Sequence, residues 1–187
     1  MDNKLMKFEN PVRIEELKPK ETLKRIGLQG NHVLCDIGAG SGIFTIPAAM
    51  VTKNKVYAFE INDEMLSIIG EKARKEGIEN IRLIKVRDDH FDAEGDSVDI
   101  VLMVTVLHEI HNTSVSLEEV KRVLKDNGKF AVIEFHKRKT PMGPPTAHRM
   151  GKEEVRDMLE NIGFVVLEDF DLGDNFYCLV FQLRNQG

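Results

Sequence analysis

Short apolar runs rich in β-branched residues alternate along the chain with stretches whose apolar positions recur every three or four residues. The runs predict strands at 32–37, 55–60, 81–86, 98–104, 128–136, 164–170 and 176–183. The helical spacing predicts helices at 11–26, 42–53, 62–77, 114–125 and 151–162. Several ends carry their own chemistry. Asn62 can cap "DEMLSIIGEKARKEG", and Gly77 stops it. "KDNGK" closes the helix before the fifth strand, and Gly163 ends the last helix. Strands separated by helices imply βαβ units, a parallel sheet and right-handed crossovers.

The C-terminus breaks that rhythm. "FVVLEDFDLGDNFYCLVFQL" sets two strands about Leu172, Gly173, Asp174 and Asn175, with no room for a helix, so they form an antiparallel hairpin. The one long irregular segment is "KRKTPMGPPTAHRMG", 137–151, whose prolines forbid a continuous helix. At 187 residues the chain suits a single α/β domain, with 1–29 as an N-terminal helical cap and 30–187 as the core.

Charge and cysteine narrow the function classes. A net charge of −5 offers no general basic field, and Lys137, Arg138 and Lys139 are too few for a groove that tracks phosphates, so no nucleic-acid partner is expected. Cys35 and Cys178 lie in apolar runs, read as buried thiols in a reducing compartment. The N-terminal residues lack the apolar core of a secretory signal, and no run approaches membrane-spanning length. A cytoplasmic protein without membrane insertion is the expectation, its oligomeric state unread.

The candidate chemistry sits in "VLCDIGAGSGIFTIPAA", Val33 to Ala49. A dinucleotide loop reads G-x-G-x-x-G, but here Gly38, Gly40 and Gly42 alternate and Ile43 holds the place of the third dinucleotide glycine. No Gly-Lys-Ser/Thr follows, so the phosphate loop of nucleotide triphosphatases fails too. No Lys or Arg lies between Val33 and Met50, whereas acids end successive strands: Asp36 the first, Glu60 the second, Asp88 and Asp89 just after the third. Ligands of an open parallel sheet lie outside the carboxyl ends of its strands. A ligand there meets carboxylates. S-adenosyl-L-methionine suits them, being cationic at its ammonium and sulfonium and carrying a ribose diol that donates hydrogen bonds.

At these residues the chain resembles the class I S-adenosylmethionine-dependent methyltransferases, whose loop is written E/D-x-G-x-G-x-G. The resemblance spans roughly 30–184 and includes "VYAFE", "IKVRDD", "SVDIVLMVTVLHEI" and "EVKRVLKDNGKFAVIEF". The last is similar to the R-V-L-K-P-G-G segment of the quinone C-methyltransferase-like (methyltransferase type 11) group, with Asp126 and Asn127 replacing the proline and first glycine. The resemblance implies a Rossmann-like seven-stranded sheet with helices on both faces, mostly parallel with an antiparallel last strand, in the order 3-2-1-4-5-7-6. It also implies cofactor roles. Gly38, Ala39, Gly40 and Gly42, with Ser41 among them, let the backbone approach the methionyl part, and Asp36 engages its amino group. Glu60 accepts from the ribose hydroxyls, Ile61 packs on adenine, Asp88 or Asp89 receives the adenine amino group, and Thr105 follows the fourth strand beside the cofactor. The product would be S-adenosyl-L-homocysteine.

Methyl transfer is an in-line displacement with a good leaving group, so alignment matters most and a base is needed only when the acceptor loses a proton. Candidate catalytic groups are His108 and Glu109 after the fourth strand, and Glu134 and His136, two apart on one face of the fifth. His108 and His111 stand three apart but lack the H-E-x-x-H spacing and a third ligand, so no metal is expected. Two segments are candidate lids: "FENPVRIEEL", carrying Arg13 as a possible carboxylate partner, and "TPMGPPTAHRM", with Met142, His148, Arg149 and Met150 over the acceptor. No N/D-P-P-Y tetrad follows the fourth strand, which disfavours amino methylation of that kind, and two cysteines in strands disfavour arsenite chemistry. The expectation is a methyltransferase acting on a small-molecule acceptor, with an RNA or protein methyltransferase or a non-catalytic cofactor binder as the alternatives.

Overall fold

A computed structural model of the protein describes residues 9–87 and 90–184. Its strands are β1 Leu34–Ile37, β2 Val56–Glu60, β3 Ile81–Lys85, β4 Val98–Val104, β5 Leu124–Phe135, β6 Phe164–Leu172 and β7 Phe176–Leu183. They form one seven-stranded sheet in the order β3-β2-β1-β4-β5-β7-β6. Neighbours from β3 to β5 pair in parallel, while β7 runs antiparallel to both β5 and β6. The expected order and the reversed last strand are therefore present. Because β1 lies between β2 and β4, the chain leaves β1 in one direction and returns at β4 on the other side, which opens a crevice at their carboxyl ends.

The helices are α1 Pro11–Leu17, α2 Pro19–Ile26, α3 Thr45–Val51, α4 Asp63–Glu76, α5 Thr113–Val123 and α6 Lys152–Asn161. Strand alternation sorts the core into two layers. On one face Leu17, Leu23, Ile26, Phe44 and Ala48 pack against Leu34, Leu102, Ala131 and Cys178. On the other, Leu117, Val120, Val123, Val155 and Leu159 pack against Cys35, Val101, Val132 and Leu179. Both cysteines are buried and free, one on each face, and burial pushes their thiols far up from the ordinary value.

Three boundaries differ from the sequence expectation by more than two residues or by a break. The helix read over 11–26 is broken at Lys18, whose φ of 41° caps α1 just ahead of Pro19. A residue before proline is steered out of the right-handed helical region, which explains the break. The helix read from 42 begins only at Thr45, because Gly42 holds a φ of 81° to complete the loop. Strand β5 starts at Leu124 and not 128: Leu124 pairs with Val98, and a register shift absorbs the "KDNG" residues before Lys129 pairs with Ile100. By contrast Asn62 and Gly77 act as read. The Asn62 side chain accepts from the amide of Glu64 at 2.9 Å, and Gly77 closes α4 in the left-handed region.

The segment 137–151 borders neither cavity of the crevice. Arg149, buried at 4% exposure, turns inward and donates to the carbonyls of His136, Arg138, Met142 and Pro144 and to Thr140 Oγ1, at 2.7–3.0 Å. It also lies over the Phe135 ring, 5.1 Å from its centroid. Met142 packs on one face of the sheet and Met150 on the other. His148 is exposed. The arginine serves here as the core of an otherwise coreless loop, a use that its position in the sequence does not signal.

Candidate active site

Asp36 is the third residue of β1, and its side chain falls on the face covered by α3. It is 2% exposed and accepts from Thr45 Oγ1 at 2.6 Å. Burial pushes its carboxyl up to about 6, the nearby Glu60 adds to this, and the Thr45 hydrogen bond opposes it. The loop that follows turns tightly because its glycines take left-handed backbone, with φ of 70° at Gly38 and 53° at Gly40. A side chain at Gly38 would overlap Val106, so this glycine lets β1's loop touch the turn after β4.

Glu60, at the end of β2, ties that loop to the next one. Its Oε2 accepts from the Gly40 amide at 2.8 Å, and its Oε1 accepts from the amides of Ile61 and Asn62 at 2.9 and 3.0 Å. Oε2 thus keeps acceptor capacity for a ligand. The sequence pointed to Glu60 as an acid at a strand end; its three backbone partners were not legible there. Two cavities meet at Gly38. The outer one, about 190 Å³, is bordered by Gly38, Phe59, Glu60, Ile61, Phe91 and Val106, and also by Glu109, Ile110 and His111. Ile61 stands 73% exposed at its rim, an apolar flap over an apolar slot. The inner one is lined by Arg13, Asp36, Gly38, Ala39, Gly40 and Ser41. Two polar atoms on its lining residues are buried without a partner, Ser41 Oγ and Arg13 Nε.

The acceptor-side candidates separate. His108, in a short 3-10 turn at Leu107–Glu109, points Nδ1 at Glu134 Oε2, 2.8 Å away, while its amide donates to Glu134 Oε1 at 3.3 Å. Their side chains are 5% and 1% exposed. Burial disfavours the imidazolium, but the hydrogen bond and charge of Glu134 outweigh it, so the His108 pKa lies above the ordinary value. Glu109 is exposed and its carboxylate lies 3.7 Å from His108 Nε2. His136 does not join this pair. It packs beside the Tyr177 ring, 5.6 Å between centroids, and lies 3.3 Å from Asp171. Burial holds its pKa below the ordinary value. Although Glu134 and His136 share a strand face, the two-residue rise of the strand carries His136 to the side of Lys152 and Asp171.

Thr105 lies at the end of β4 with a φ of 55°, a strained conformation for a β-branched residue. Its Oγ1 accepts from Arg13 Nη2 at 2.9 Å. Gly42 sits against Ile69 behind the loop and does not border either cavity. Asp88 and Asp89 lie outside the described residues. Among the described residues no three His, Cys, Asp or Glu side chains gather as a metal-binding set, and no helix is long and apolar enough to cross a membrane. Thr45, Lys72 and Phe91 also shape the site. Lys72 donates to the Ser41 carbonyl at 2.7 Å and pairs with Glu9, a link between distant residues that periodicity cannot show.

Strand order, acid-ended β1 and β2 and the glycine loop define the S-adenosylmethionine-dependent methyltransferase class. A family model described as a methyltransferase domain matches residues 28–171, and the chain belongs to that family. A solved S-adenosylmethionine-dependent methyltransferase from Aquifex aeolicus superposes with a TM-score of 0.90 at 28% identity, covering 98% of this chain and 99% of that one. The ubiquinone/menaquinone biosynthesis C-methyltransferase UbiE of Marinomonas sp. is 26% identical over 127 residues, 66% of this chain and 51% of that protein. The ribosomal protein L11 methyltransferase of Bacillus velezensis is 29% identical over 161 residues, 82% of this chain and 44% of that protein. The chain thus spans about half the length of the curated relatives it matches.

Proposed function

We propose that the chain transfers a methyl group from S-adenosyl-L-methionine to a small organic acceptor that gives up a proton to His108. The observation that carries this reading is the buried His108–Glu134 pair on the turn that also supplies Val106 and Glu109 to the acid-walled cavity. The bound cofactor would supply an electrophilic methyl on a sulfonium leaving group. The protein's part is to hold it and to manage the proton.

The residues present fit this group. Asp36 and the orphaned Ser41 Oγ border the inner cavity, where an ammonium and its neighbours would find an acceptor and a free hydroxyl. Glu60 Oε2 retains lone-pair capacity for a ribose hydroxyl, and Ile61 with Phe91 gives the apolar walls that adenine needs. Glu134 accepts the Nδ1 proton of His108, which leaves Nε2 as the acceptor of the substrate proton and stabilises the imidazolium that results. A weakly acidic hydroxyl or activated C–H matches such a base. The net charge of −5 argues against an RNA acceptor.

Calorimetry with S-adenosyl-L-homocysteine, followed by mass spectrometry of phenols and enolisable acids incubated with the enzyme and the methyl donor, tests the reading. A gain of one methyl that His108→Ala abolishes is the expected result. No binding of the demethylated cofactor would overturn it.

A further inference from the structure

The loop between β3 and β4 forms no helix or strand among its described residues, only a single bridge from Arg87 to His90. It nonetheless carries Phe91, 2% exposed, which packs on Phe59 at 5.2 Å between ring centroids and borders the outer cavity beside it. An irregular segment cannot place a ring by its own backbone pattern, so its amides and carbonyls are held from elsewhere. Helix α5 holds them. Glu119 Oε2 accepts from the Phe91 amide at 3.1 Å. Arg122 donates through Nη2 to the Phe91 carbonyl at 2.8 Å and through Nη1 to the Ala93 carbonyl at 2.9 Å. The two side chains also lock each other, Arg122 Nε on Glu119 Oε1 at 2.7 Å and Nη2 on Oε2 at 2.9 Å, and His90 Nδ1 lies 2.7 Å from the same Oε2. Both backbone groups of Phe91 thus end on one ion pair. In the sequence Glu119 and Arg122 are an ordinary helical pair three residues apart, which by itself contributes little. Aimed at a loop that borders the cavity, the same pair has a different use. One turn earlier on α5, buried Ser116 borders that cavity too, so a single helix sets two parts of its wall.

We propose that Glu119 and Arg122 are positioning residues for cofactor binding: without touching the ligand, they fix the Phe91 backbone and with it the wall against which the base lies. This rests on the reading that the outer cavity takes adenine between Ile61 and Phe91. A flat base gains from an apolar wall only while the wall keeps its place. A wall that binding must first order gives back part of that gain as lost conformational freedom, and the ion pair removes this loss in advance. Ile61, on the other rim, is exposed, so the fixed side of the slot is that of Phe91. Because α5 follows directly on the turn that carries His108, the base wall and that turn share one rigid element.

Calorimetry with S-adenosyl-L-homocysteine on wild type, Glu119→Ala, Phe91→Ala and the double variant tests the proposal, with urea denaturation of each as the measure of the fold. Glu119→Ala is expected to weaken binding by ~10-fold. Glu119→Gln, which keeps an acceptor for the Phe91 amide, is expected to recover part of the loss. In the Phe91→Ala background Glu119→Ala is expected to cost less than ~3-fold, because the ring it places is gone. Unchanged affinity in Glu119→Ala, whatever its urea midpoint, would make the pair a stabiliser of the fold alone. Losses that multiply in the double variant would show Glu119 acting on something other than Phe91. Either result overturns the proposal. Should a variant fail to fold, hydrogen exchange on wild type decides: S-adenosyl-L-homocysteine must slow exchange of the Phe91 amide, whose acceptor is Glu119, by ~10-fold or more, and an amide indifferent to the ligand overturns the proposal. Unchanged affinity in Phe91→Ala removes adenine from this wall and defeats the underlying reading, a result distinct from a loss in Phe91→Ala with none in Glu119→Ala.

Discussion

Replacing Asp36 by asparagine separates what this carboxylate does for the ligand from what it costs the fold. Its pKa rises from 3.8 to about 6 on folding, chiefly through burial, so the folded chain binds this proton more tightly than the unfolded one. The associated stability is complete below the unfolded value and is lost as pH rises through the folded one. The two values correspond to a cost of about 1 kcal/mol at pH 4.5 and about 3 kcal/mol above pH 7. Asparagine has no charge to desolvate, and its carbonyl can still accept from Thr45 Oγ1. Urea denaturation of the ligand-free protein is therefore expected to show Asp36→Asn more stable than wild type at pH 8, with the gap narrowing by about 2 kcal/mol at pH 4.5. Its affinity for S-adenosyl-L-homocysteine should fall at both pH values. A variant that is destabilised equally at pH 4.5 and pH 8 would refute the reasoning, because that pattern belongs to lost packing and not to a buried charge.

Other perturbations probe different links. Glu60→Gln keeps the shape of the side chain but gives up the charge behind three amide hydrogen bonds, and calorimetry should record cofactor affinity falling ~10-fold or more. Glu134→Gln should lower the His108 pKa, so the rising limb of the kcat/KM profile shifts to more acid pH while its plateau falls; an unmoved limb would detach His108 from the proton. Arg149→Lys loses the forked contacts that organise residues 136–149, and thermal unfolding should show about 2–4 kcal/mol of lost stability with cofactor affinity nearly unchanged.

The sheet was legible because each buried strand announces itself as an apolar run, and the hairpin because four residues leave no space for a crossover. Asp36, Glu60 and the glycine loop were legible for a related reason, their fixed distance from strand ends. The place of His108 just after β4 made it a candidate, although nothing local revealed that Glu134, twenty-six residues on, would be its partner. Arg149 was expected over the acceptor, because the carbonyls that surround it become a cage only once the loop has closed. Position 136 failed in a similar way: a shared strand face fixes direction, not distance, and Asp171 on β6 captured it. Lys18 was a local signal overlooked, being the residue ahead of a proline.

The margins of the sheet bear on how copies of this chain can meet. At one border β3 presents Arg82 and Lys85. At the other β6 carries Glu168, Asp169 and Asp171 and is bent by an irregular register at Val166 and Glu168. Like charges oppose the pairing of β3 with a second β3, and of β6 with a second β6, and the kinked rim adds to this at β6. A sheet extended across two copies of this chain would therefore have to run head to tail, basic margin against acidic margin, and symmetric edge pairing is disfavoured.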